Sequence, residues 1–70
     1  MEPAAELEAA MAVLGWSPPE LAERLDVRVR TIQRWRAGAS VVPERVLAWL
    51  RECRQARAEG TAMPEVPEGW

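Results

Sequence analysis

Seventy residues carrying 11 acidic and 9 basic groups give a net charge of −2 and one small domain at most. With 49% apolar and 29% charged residues the composition is globular. A single cysteine, Cys53, excludes an intrachain disulfide framework, and the absence of histidine removes both the Ser-His and Cys-His nucleophile pairs and the usual ligands of a structural zinc site.

Every basic residue is arginine, so lysine Schiff-base and phosphate-loop chemistry are excluded as well. A binding module is expected rather than an enzyme, with no catalytic residues, cofactor, metal or small-molecule ligand. The N-terminus lacks the basic region of a signal peptide, and no apolar run approaches membrane-spanning length. These features, with one free thiol, predict a cytoplasmic protein with no membrane partner.

Charge is segregated along the chain. Residues 1–23 hold five glutamates and no basic group. Residues 24–57 hold all nine arginines against Asp26, Glu44 and Glu52, a local net of +6. Residues 58–70 add three glutamates. A basic centre between acidic ends is the footprint of a nucleic-acid binder, although arginines that simply solvate helix surfaces would give the same count.

Four helices are predicted. The first runs from Pro3 or Ala4 to Leu14, with Leu7, Ala10, Met11 and Leu14 at helical spacing and Gly15 as its stop. Ser17-Pro18-Pro19-Glu20 then has the form of a capping box with proline at the first helical position. Trp16 and Leu21 are placed as its hydrophobic staple, and the second helix is expected over Pro18–Leu25. After Asp26-Val27-Arg28 a third helix spans Val29 to Ala37, with Ile32 and Trp35 inward and Gly38 ending it. The fourth starts at Pro43 and runs to about Ala58, before Gly60.

The expected fold is all-α: a compact four-helix domain containing a helix-turn-helix over residues 1–60, and a short irregular, acidic, proline-containing tail over residues 61–70. Ala22 is the small residue where the two short helices cross. Leu21, Leu25, Val27, Ile32 and Trp35 supply the inward faces.

The stretch from Leu14-Gly-Trp-Ser17 to Trp35-Arg-Ala-Gly38 resembles the lambda-repressor-like (Cro-type) helix-turn-helix family of bacterial and phage transcription regulators. The resemblance rests on Glu20-Leu-Ala22, Leu25, Arg30-Thr-Ile32, Trp35 followed by Gly38, and Val42-Pro43. It covers about residues 5 to 55. It implies sequence-specific binding of double-stranded DNA, with the third helix in the major groove and commonly two copies per operator. Two positions depart from the family pattern. Asp26 stands where glycine is usual in the turn, and Arg28 stands where serine or threonine often caps the third helix. Arg28 is therefore a candidate for a phosphate or a guanine edge.

With Ile32 at zero on a helical wheel, Arg30 and Arg34 fall at about 160° and 200° and Gln33 at about 100°, away from the core. Arginine pairs bidentately with guanine and glutamine with adenine, so these three are the base-reading candidates. Thr31 is a phosphate contact or plain helix surface. Arg36 lays its stem along the core and reaches a phosphate or a carboxylate. Val29 is core edge or a thymine-methyl contact. Arg24 is expected in solvent near Glu20. The candidate DNA-binding set is thus Arg28, Arg30, Thr31, Gln33, Arg34 and Arg36.

The fourth helix has an apolar arc of about half the wheel. Val46, Leu47 and Leu50 are expected to face the other helices, leaving Trp49, Cys53 and Ala56 as a bare stripe. A second copy packing helix 4 on helix 4 is the favoured cover; the alternative is the chain's own tail, through Val66 or Trp70. Two other functions remain open: a protein-interaction adaptor or antitoxin-like module on a helix-turn-helix scaffold, and a DNA-recognition subunit of a recombination or packaging complex.

Overall fold

A computed structural model describes residues 2–69. Four helices follow in order: α1 (Pro3–Leu14), α2 (Pro18–Leu25), α3 (Val29–Ala37) and α4 (Glu44–Glu59). No strand occurs among the described residues. α1 packs on both α3 and α4, and α2 packs on α3.

The predicted boundaries hold, with α4 beginning one residue past Pro43 and ending one past Ala58. Pro18 and Pro19 open α2, where a missing N–H costs nothing. The Ser17 hydroxyl accepts the Glu20 backbone N–H at 3.4 Å, so Ser17 is the N-cap. The Ser17 hydroxyl also donates to the Glu20 carboxylate at 3.4 Å. Trp16 and Leu21 are both buried in the same core.

Asp26 closes α2 in the left-handed region, at φ 56° and ψ 47°. Its N–H and that of Val27 bond back to Glu23 and Ala22 carbonyls at 3.2 and 3.0 Å. Aspartate enters this region more readily than most side chains, so the turn forms without glycine.

The core runs from Leu7, Ala10, Met11 and Leu14 through Leu21, Ala22, Leu25, Ile32 and Trp35 to α4. There it contains Val46, Leu47, Trp49, Leu50 and Cys53, with Ala56 buried at its edge. The expected bare stripe on α4 is therefore absent: Trp49 is 3% exposed and Cys53 0%. Two contacts explain this. Trp49 stacks on Trp16, with ring centroids 5.6 Å apart, and its indole N–H donates to the Pro64 carbonyl at 3.1 Å. Val66 of the returning tail packs against the same core. One chain thus covers this face itself, and a helix-4 dimer is not needed to cover it. Trp70, the other expected cover, lies outside the described residues.

Candidate nucleic-acid interface

The second and third helices meet at Asp26-Val27-Arg28, and α3 presents Ile32 and Trp35 inward, 0% and 4% exposed. Val27 and Val29 are half-buried against the core, so Val29 occupies the core edge. The opposite side of α3 is left to solvent.

Arg28 is the N-cap of α3, with φ −80° and ψ 149°, and makes no side-chain cap bond. The N-cap side chain therefore gives the first N–H groups of α3 no acceptor, and a cationic residue stands at the positive end of the helix dipole. A negatively charged group outside the chain would relieve both.

Arg30, Gln33 and Arg34 are exposed on one face of α3, and Thr31 is half-buried at its flank. Arg30 and Arg34 are four residues apart, so like charges stand one above the other. Among the described residues, no ion pair involves Arg28, Arg30 or Arg34.

Arg36 differs. Its Nε donates to a Glu8 carboxylate oxygen of α1, across 28 positions of sequence. Of the two partners considered for it, the structure supplies the carboxylate, so Arg36 is not brought into the unpaired set. Arg51 is also occupied: it bonds Glu6 at 2.6 and 3.0 Å and Glu44 at 3.0 Å. Its hydrogen bond to Glu6, with smaller coulombic help from Arg51 and Arg54, holds the Glu6 carboxyl below its usual range.

Arg24 does not pair with Glu20. Its guanidinium carbon lies 4.2 Å from the centre of the Trp16 ring, a cation–π contact that the helical wheel of α2 alone could not show. The signal in sequence is the staple position of Trp16, which puts its ring beside Leu21, and Arg24 lies three residues further along the same side of α2.

The arrangement offers donors and positive charge on a short exposed helix, and among the described residues no cluster suited to a metal ion. No described helix is long and apolar enough to cross a membrane. No curated protein and no solved structure matches the chain. A family model described as a homeodomain-like domain matches residues 3–39, the span of α1, α2 and α3 through the residues that end α3. That match supports the helix-turn-helix class and does not separate out the Cro type. On this match over half its length, with the helix-turn-helix geometry that accompanies it, the chain belongs to the homeodomain-like domain family.

Proposed function

We propose that the chain binds double-stranded DNA in a sequence-specific manner, with α3 in the major groove, as a transcription regulator of bacterial or phage type. The observation that carries this reading is the contrast among arginines. Arg36 and Arg51 are paired by carboxylates of the same chain, whereas Arg28, Arg30 and Arg34 form no ion pair among the described residues. Unneutralised like charges on one helix face are unfavourable alone and become favourable against phosphates and guanine edges.

In this reading Arg30, Gln33 and Arg34 read base edges, Arg28 and Thr31 fix the register on phosphates, and Arg36, paired with Glu8, contributes little. The Cro-type resemblance supports the regulatory role. No residue set for catalysis is proposed, and the free thiol of Cys53 agrees with a cytoplasmic setting. A homodimer through the Trp49 face of α4 would require the tail to leave Trp49, so a single copy is taken as the DNA-binding unit.

Selection from a random duplex pool tests the reading. An enriched site containing guanine and adenine within a few consecutive base pairs is expected. Failure to enrich any site would favour the adaptor reading.

A further inference from the structure

Residues 61–69 contain no helix and run back along α4. Three anchors fix the direction. Thr61 bonds the Ala56 carbonyl through its backbone N–H at 2.9 Å, Trp49 donates to the Pro64 carbonyl at 3.1 Å, and Arg45 donates to the Glu68 carbonyl at 3.0 Å. Arg45, Trp49 and Ala56 are spaced to share one face of α4. The later the tail residue, the earlier its partner on the helix.

The two side-chain donors both take main-chain carbonyls, and between those carbonyls Val66 packs half-buried against the core. This is the division of labour by which an aromatic-lined surface recognises an extended proline segment: carbonyls to fixed donors, an apolar side chain to a seat between them. The tail is suited to it. Pro64 and Pro67 fix their own backbone, and each biases the residue before it, Met63 and Val66, toward extended conformations. Little conformational freedom remains to be lost on docking. Glu65 and Glu68 carry charge opposite to that of Arg45, which the tail passes on its way along α4.

We propose that Arg45 and Trp49 of α4, with the part of the core against which Val66 packs, form a peptide-docking site for an extended acidic Pro-Glu-Val-Pro-Glu segment, filled in cis by residues 64–68. The site uses none of the α3 arginines and is independent of the DNA-binding reading. A short linker after Gly60 presents the tail at roughly millimolar effective concentration, so the cis ligand excludes a free one of equal strength. A partner protein entering the site must offer the same pair of carbonyls and displace the tail.

The test uses the full chain and nuclear magnetic resonance. In the parent chain, amides of residues 65, 66 and 68 should be as rigid as those of α4. Arg45→Ala with Trp49→Phe should make them mobile while the helices persist. In a second variant the tail itself is unhooked, by Val66→Ser with Pro64→Gly and Pro67→Gly. A free peptide with the native sequence of residues 61–69 should then shift the Trp49 indole N–H and Arg45 signals saturably, and bind about tenfold or more tightly than it binds the parent. A mobile tail in the parent overturns the proposal. So does an unhooked variant that keeps its helices and shows no saturable shift at Trp49.

Discussion

Arg36, in the last turn of α3, is tied to Glu8 in the middle of α1, so the arginine nearest the end of α3 is already neutralised by its own chain. Both side chains are substantially exposed, which makes the pair weak and screened by salt. Arg36→Ala should therefore reduce affinity for a preferred duplex by less than about 1 kcal/mol, against roughly 1–3 kcal/mol for Arg34→Ala or Gln33→Ala. Glu8→Gln should raise affinity in low salt by removing a carboxylate near the phosphates and releasing Arg36. Equilibrium titration of labelled duplex by the four variants checks the order.

Asp26 supplies a second expectation. Its φ of 56° is the one positive value among the described non-glycine residues. Asp26→Gly should stabilise the chain by about 0.5–1 kcal/mol, because the left-handed region carries no Cβ penalty for glycine. Asp26→Val should destabilise it, since a β-branched side chain is strongly disfavoured there. Thermal melts of the two variants should bracket the parent.

Much of this architecture is legible in the sequence because punctuation and periodicity agree. Ser17-Pro18-Pro19-Glu20 marks the start of α2, and Ile32 with Trp35 marks the inward face of α3. The faces of α4 are misread by the wheel for a physical reason. A helical wheel assigns Trp49 a direction but not a partner, and its partners are Trp16, in the link before α2, and a carbonyl in the tail. Neither has a helical spacing to read. The same holds for Arg24, whose ring contact depends on where Trp16 lies, and for Arg36, whose two possible partners only the packing of α1 on α3 could separate.

Two core and cap substitutions should differ sharply. Ser17→Ala removes the oxygen that accepts the Glu20 N–H and should cost about 1 kcal/mol. Trp35→Ala empties a site 4% exposed and should cost roughly 3–5 kcal/mol, most of the stability a domain of this size commands. Denaturant unfolding followed by circular dichroism measures both. A Trp35→Ala midpoint equal to the parent's would contradict the core placement.

Acid should loosen the α1–α4 contact. The Glu6 carboxyl is held below its ordinary value by Arg51, so its contribution is present above the unfolded-state value near 4.5 and is lost as pH falls through the lower folded value. Glu6→Gln should abolish that part of the acid dependence and leave stability at neutral pH only slightly reduced, because the Arg51 side chain is 51% exposed. Melting temperature against pH from 7 to about 3 for both chains, where the unfolded carboxylates titrate, displays the difference.

Cys53 should be inert in the folded chain. It is 0% exposed, and burial pushes its thiol up to about 11. Its reaction with an aromatic disulfide at pH 8 should wait on unfolding and become fast in denaturant. A prompt reaction in native buffer would place the thiol at the surface.

If the α3 arginines without an ion pair bind DNA, duplex affinity must depend on them and on salt, which a titration can read. The parent chain and the variant Arg30→Ala with Arg34→Ala would be titrated with the selected duplex and with random duplex over a series of salt concentrations. The parent should bind both, more tightly to the selected site, with affinity falling steeply as salt rises. The double variant should lose the preference for the selected site, and its salt slope should be shallower by up to about 1 for each phosphate it no longer neutralises. Equal duplex affinity for parent and double variant in low salt, with both chains folded, would contradict DNA binding by these arginines.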